Sequence, residues 1–230
     1  MDKKRFIRKL GISAADEKAI AETVAEAEQK TNGEIALAIV KQSDDYSALE
    51  LLISIAAFLL GAVIFIGFSN TIVSFLSTLV WVFSHKLLLS VFLVSTSLLI
   101  PLCFLLLNIS SFERIFIPKK LRHKNTEKRA MLHFVQSALY KTKDHSGILI
   151  FVSVLERTVV VFADEGINSR VEAGTWNGIC AKLTDALKKK EAGKGFIEAV
   201  EACGTILHEA FPARKNNPNE LNNSLAVLDR

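Results

Sequence analysis

Apolar positions recur along this chain with the period of a helix in some stretches and the period of a strand in others. One long stretch has no polar period at all. Between Ala48 and Leu107 the only charged residues are Glu50 and Lys86. Within it, Leu51–Phe68 (LLISIAAFLLGAVIFIGF) and Leu87–Leu107 (LLLSVFLVSTSLLIPLCFLLL) carry no charge. A helix rises about 1.5 Å per residue, so about 20 apolar residues cross a hydrocarbon core of about 30 Å. Each run therefore predicts a transmembrane helix. Gly61, Gly67 and Pro101 are compatible, because Gly and Pro are commoner in membrane helices than in soluble ones. A soluble core helix of this length keeps a polar face, which neither run has. Thr71–Phe83 is apolar but too short to span comfortably. It reads as an interfacial or loop segment with Trp81 at the headgroups, with a third crossing as the rival.

The flanking segments carry regular periods. Ser13-Ala14-Ala15-Asp16 has the form of a capping box and opens a predicted helix to about Lys30, with Ile20, Val24 and Ala27 on one face. Thr31-Asn32-Gly33 ends it, with Gly33 suited to a left-handed cap. Glu34–Val40 (EIALAIV) alternates as a strand does. After the apolar insert, Phe112–Pro118 reads as an exit from the interface. Met131, Phe134, Val135, Ala138 and Leu139 predict a helix over Thr126–Lys141. Ile148–Val154 and Thr158–Ala163, joined by Leu155-Glu156-Arg157, predict a hairpin. Both runs are apolar throughout, so both are expected to be central strands covered on two faces. A short helix over Asn168–Ala173 and longer ones over Trp176–Lys190 and Phe196–Ala210 complete the set. Met1–Leu10 reads as a mobile basic arm and Arg214–Arg230 as a polar tail.

The order is thus helix, strand, apolar insert, helix, two strands, two helices. One strand and one helix cannot form a stable domain, so those before the insert must pair with the strands after it. Both parts then lie on one side of the membrane, which requires an even number of crossings. Arg114, Lys119, Lys120, Arg122, Lys124, Lys128 and Arg129 flank the second run, whereas the connector offers only Lys86. Basic residues favour the cytoplasmic side. The expectation is a plasma (inner) membrane protein with two spans and both soluble parts in the cytoplasm. The expected segments are 1–47, the hairpin insert 48–111, 112–214 and a tail 215–230. The basic flank is also suited to anionic lipid.

Composition narrows the classes. The 28 Lys and Arg against 24 Asp and Glu leave a net charge of +4, and the two signs are mixed outside the juxtamembrane patch. No basic motif interleaved with aromatics points to nucleic acid. The three cysteines lack metal-ligand spacing, and an odd number frames no disulfide set. The first 30 residues contain no apolar signal core, so the first apolar run is expected to act as its own insertion signal.

Candidate chemistry is sparse. Asp164 and Glu165 sit at the end of a predicted buried strand and, if the chain has already turned there, could hold Ca²⁺ or Mg²⁺ with main-chain oxygens; a solvated turn or a cap on the following helix is their simpler role. Asp44 and Asp45, after the first strand, are weaker contributors. Arg157 could bind phosphate, but it lies on the hairpin turn, at the other end of the sheet from Asp164; a surface pair with Glu156 or a lipid headgroup is its simpler role. There is no phosphate-binding glycine loop, no Cys-x5-Arg run and no Asp-x-Asp after a strand. His85, His123, His133, His145 and His208 are scattered, Ser153 lies within a strand, and Cys180 and Cys203 read as core.

Gly33-Glu34-Ile35 after a helix, Gly147-Ile148-Leu149-Ile150-Phe151-Val152-Ser153, Glu156-Arg157, Ala163-Asp164, Gly166-Ile167, Trp176, Phe211-Pro212 and Asn219-Glu220-Leu221 together resemble the TPM domain family. That family is shared by thylakoid, photosystem-repair and nematode receptor-accessory proteins, and the resemblance is to its bacterial membrane-associated branch. It covers about residues 13–40 and 126–225. It implies an α/β fold, a three-layer α/β/α sandwich with a small mixed sheet, interrupted here by the two-helix transmembrane hairpin. Some members are described as acid phosphatases and some bind calcium, while others are accessory proteins of membrane complexes. Where many members carry a Gly-Tyr-Gly-like segment, this chain has Asp164-Glu165-Gly166. Two functions follow: a non-catalytic accessory module for a membrane protein, or a metal-assisted phosphatase using Asp164 and Glu165. The expected partners are the bilayer and a membrane protein, with no nucleic acid.

Overall fold

The structure, a computed structural model, describes residues 3–79, 85–107, 117–142, 145–172, 174–213 and 223–229. The chain divides into two compact units, Met1–Asp44 with Lys119–Arg230, and Asp45–Pro118.

The first unit is a mixed α/β domain around a four-stranded sheet in the order β3-β2-β1-β4. Strand β1 (Glu34–Val40) lies parallel to β2 (Gly147–Ser153), with Glu34 opposite Gly147 and Val40 opposite Ser153. The strand before the insert therefore does pair with the strands after it. Strand β3 (Thr158–Ala163) is antiparallel to β2. It is an edge strand, not the central one its apolar run predicts, and two of its residues are partly exposed. The other edge is β4 (Ala226–Leu228), parallel to β1. The segment 215–230, expected as a polar tail, thus supplies a strand, too short and too flanked by polar residues to declare itself by period.

Alternation divides the core. Ile35, Leu37, Ile39, Ile148, Ile150 and Val152 pack with helices α2 (Ala14–Gln29), α8 (Thr175–Lys188) and α9 (Ala192–Ala210). Ala38, Val40, Leu149 and Phe151 pack with Ala130 and Phe134 of α6 (Lys119–Gln136). Burial of both faces of β2 explains why its sequence does not alternate.

Local chemistry sets the helix ends. Ser13 and Asp16 form the expected capping box on α2. Gly33 is not in the left-handed region. Its constraint is space, since a Cβ there would lie 2.6 Å from Leu207 Cδ2 and 3.0 Å from the Ser146 carbonyl. The N-terminal arm is a helix, α1 (Lys3–Lys9), anchored by buried Ile7. Helix α6 starts earlier than its apolar period predicts and stops at Gln136, because Ala138 takes a left-handed conformation (φ 58°) before a 3₁₀ turn over Leu139–Lys141. The short helix after β3 is α7 (Glu165–Asn168), not Asn168–Ala173, because Asp164 caps it.

The second unit holds α3 (Ser47–Gly67), α4 (Ser69–Leu79) and α5 (His85–Leu107), the last with Pro101 inside it. Helices α3 and α5 pack together. Phe65 lies 5.1 Å from Phe92 between ring centres, and a Cβ on Gly61 would lie 3.3 Å from Leu99. Moving back along α3 moves forward along α5, so the two are antiparallel. Among the described residues α3 is the one helix long and apolar enough to cross a membrane, with mean hydropathy 2.6 and 6% of that stretch buried. The 71–83 segment is helical as far as Leu79, and Trp81 lies outside the described residues.

Two glycines test this packing. A Cβ on Gly147 would lie 2.8 Å from the Leu139 carbonyl, whereas one on Gly178, exposed in α8, meets nothing within 4 Å. In urea unfolding followed by circular dichroism, Gly147→Ala should lower stability by about 1–3 kcal/mol. Gly178→Ala should raise it by about 0.5–1 kcal/mol, because alanine loses less backbone entropy in a helix.

Candidate functional site

Glu34 and Asp164 lie at one end of the sheet. Strands β1 and β2 begin there and β3 ends there. Glu34 lies opposite Gly147, and the Asp164 N–H donates to the Gly147 carbonyl (2.9 Å). Glu34, Gly147 and Asp164 therefore follow one another along the edge, spanning two strand spacings, about 10 Å.

Asp164 is the N-cap of α7: its Oδ1 accepts the Glu165 N–H at 2.8 Å. Its Oδ2 is buried and accepts no hydrogen bond, and His145 Nδ1 lies 3.4 Å away. Glu165 is exposed on the first turn of α7, and Gly166 is half-buried behind it. The Asn168 amide fastens this corner by donating to the Ala163 carbonyl (2.8 Å) while its Oδ1 accepts from Trp176 Nε1 (3.2 Å). Trp176 thus ties the start of α8 to the Asp164 cap. A hard cation takes about six to eight oxygen ligands. Among the described residues, no group of three or more His, Cys, Asp or Glu side chains is placed to hold a metal.

The remaining sequence candidates fall elsewhere. Asp44 follows the far end of β1, so it cannot reach the Asp164 corner. Arg157 is exposed on the hairpin turn at that same far end, with φ 49°. Glu156 is not its surface partner. It is buried, accepting the Ser43 N–H at 2.9 Å and the Ser153 hydroxyl, and so fastens the β1 exit to the hairpin. Cys203 is fully buried and Cys180 half-buried; burial raises both thiols, Cys203 to about 12, so neither is a nucleophile at neutral pH. Asn219 and Glu220 lie outside the described residues.

The sequence reading missed a buried carboxyl pair. Glu28, near the end of α2, is 5% exposed and Glu34 is 2% exposed. Glu28 accepts the Ile35 N–H at 3.0 Å and the Asn223 amide at 2.8 Å. Burial, aided by the neighbouring Glu34 carboxyl, pushes Glu28 up to about 8. The signal was present: Glu28 continues the Ile20, Val24 stripe at four-residue spacing. Phe211-Pro212 closes the same corner, since the Phe211 carbonyl accepts from the Asn32 N–H (3.0 Å) and the Thr31 hydroxyl (2.7 Å).

Residues 114–206 match the family model of the TPM domain. The match begins after the insert. The β1–β2 pairing is what joins the N-terminal segment to it. No curated protein matches the chain. A solved structure, the BA42 protein from the psychrophilic bacterium Bizionia argentinensis, is similar in fold, with a TM-score of 0.55 and 20% identity over 94% of each chain.

The raised Glu28 carboxyl has a pH consequence. The folded state holds a proton there that the unfolded chain releases near its ordinary value of 4.5. The stabilisation is complete below about 4.5 and is lost as pH rises toward about 8. Unfolding midpoints should fall over that window. Glu28→Gln, which keeps the hydrogen bonds of a neutral side chain, should flatten the fall.

Proposed function

We propose that the chain is a membrane-anchored TPM-like module, a three-layer α/β/α domain interrupted by a two-helix transmembrane hairpin. Both soluble parts face the cytoplasm, and the domain acts as a non-catalytic accessory or stabilising module for a membrane protein or complex. The observation that carries the reading is the apolar helix α3, of which only 6% is buried within the chain. Leu51, Leu60 and Ile66 are each more than 60% exposed, an arrangement that lipid or a membrane partner would relieve. At about 1.5 Å per residue, the 21 residues of α3 and 23 of α5 match the bilayer core. The β1–β2 pairing favours an even number of crossings, and the basic start of α6 favours the cytoplasmic side. At the acidic end, Glu28 and Asp164 already serve the main chain, which suits a structural role.

The alternative is a metal-assisted phosphatase using Asp164 and Glu165 with Ca²⁺ or Mg²⁺. Its support is the buried Asp164 Oδ2, which accepts no hydrogen bond. Calorimetric titration of the detergent-solubilised chain with each ion separates the two. The accessory reading expects no saturable heat that Asp164→Asn removes. It also expects in-cell photo-crosslinking from Lys18 and Lys194 to capture a discrete integral membrane protein, and the chain to stay in the membrane after an alkaline carbonate wash. Ion binding and phosphatase activity that are both abolished by Asp164→Asn, with no crosslinked partner, would reverse the ranking.

A further inference from the structure

At the end of the sheet away from Asp164, a cavity of about 280 Å³ opens between the last turns of α1 and α8 and the β2–β3 turn. Lys9, Arg157, Lys188 and Lys190 line it, and among its described lining residues there is no carboxylate. Three separate elements bring these cations together. Lys9 closes α1, Arg157 sits on the hairpin turn, and Lys188 and Lys190 close α8. Lys188 is paired on its own helix with Asp185 (2.8 Å), which is solvent-exposed and outside the cavity. The floor between the cations is apolar, built by Leu10 and Leu187 with the end of β2.

Two features indicate that this rim is held in place. Arg157 (φ 49°) and Lys190 (φ 61°) both occupy the left-handed region, which is uncommon outside glycine, asparagine and aspartate. Such strained backbone persists where surrounding structure over-determines it. Gly11 (φ 79°) is the packing partner: a Cβ there would lie 1.9 Å from the Lys190 carbonyl. Like charges gathered around an apolar floor repel one another, and a bound anion would relieve that.

We infer that this cavity binds a phosphomonoester carrying a small apolar group. The Arg157 guanidinium offers a planar fork matched to phosphate oxygens, and the lysines add point charges. The apolar floor takes the substituent. The volume lies near the lower end of small-molecule sites, about 300–1,000 Å³, which fits such a compound and not a peptide. The ester is either a soluble compound or the headgroup region of an anionic lipid.

The test is calorimetry of the full chain in uncharged detergent micelles with phenyl phosphate as probe. Saturable binding is expected, weaker with inorganic phosphate, absent with phenol and reduced by added salt. Arg157→Asn with Lys190→Asn should weaken it at least tenfold. Asparagine tolerates the left-handed region, so the fold is kept, as circular dichroism would verify. Lys18→Asn with Lys194→Asn, removing the same charge elsewhere, should leave binding unchanged. Displacement by dihexanoyl phosphatidic acid would assign the site to a lipid headgroup, and its absence to a soluble ester; either supports the inference. Binding that survives in the Arg157/Lys190 variant, inorganic phosphate binding as tightly as phenyl phosphate, or tighter binding of a glutamate-rich peptide would each overturn it.

Discussion

Everything in the α/β domain depends on the parallel pairing of β1 with β2. The two strands run in register from Glu34 opposite Gly147 to Val40 opposite Ser153, yet the whole apolar insert and α6 lie between them in sequence. β1 is also the only described neighbour of β4. Remove β1, and β2 loses one side of its ladder, β4 loses its partner, and Ile35, Leu37 and Ile39 leave the larger core. Closing so long a connection costs entropy, but the cost grows only logarithmically with length. It falls further when the intervening chain forms a compact unit of its own, as α3 and α5 do by packing antiparallel.

Glu28, Glu34 and Asp164 collect where β1 and β2 begin, while Lys9, Arg157, Lys188 and Lys190 collect near the end of β2. The acidic end is fastened: Glu28 holds the Ile35 N–H and the segment before β4, and Asp164 caps α7. The basic end is an open cavity. The Glu28 carboxyl, raised by burial, acts there as a hydrogen-bonding strut, whereas cations around open space attract anions.

Sequence patterns revealed the elements whose burial is periodic. The capping box at Ser13 and the alternation of β1 both match the structure. What the patterns hid has physical causes. β3 reads as central because its residues are apolar throughout, but strand order comes from pairing, not composition. β4 has three half-buried residues, too few for a period. The Gly33 requirement is a close approach by Leu207, which is far away in sequence. Glu28 continued an apolar stripe, and a charged residue there was easily passed over, although a carboxyl can be buried if it stays protonated and hydrogen-bonded. Asp164 follows β3, at the other end of the sheet from Arg157, and takes the capping role that was its simpler reading, on a helix that starts at Glu165, three residues before the expected Asn168.

The central claim is that one domain is assembled on one side of a membrane from the two flanks of a two-span insert. Its most direct measurement is single-cysteine labelling in sealed vesicles with a membrane-impermeant maleimide, on a cysteine-free background, at Lys18→Cys in α2, Lys194→Cys in α9 and Lys86→Cys at the start of α5. The account predicts that positions 18 and 194 label from the same side and position 86 only from the other. Labelling of 18 and 194 from opposite sides would contradict it, because β1 and β2 could not then share a sheet.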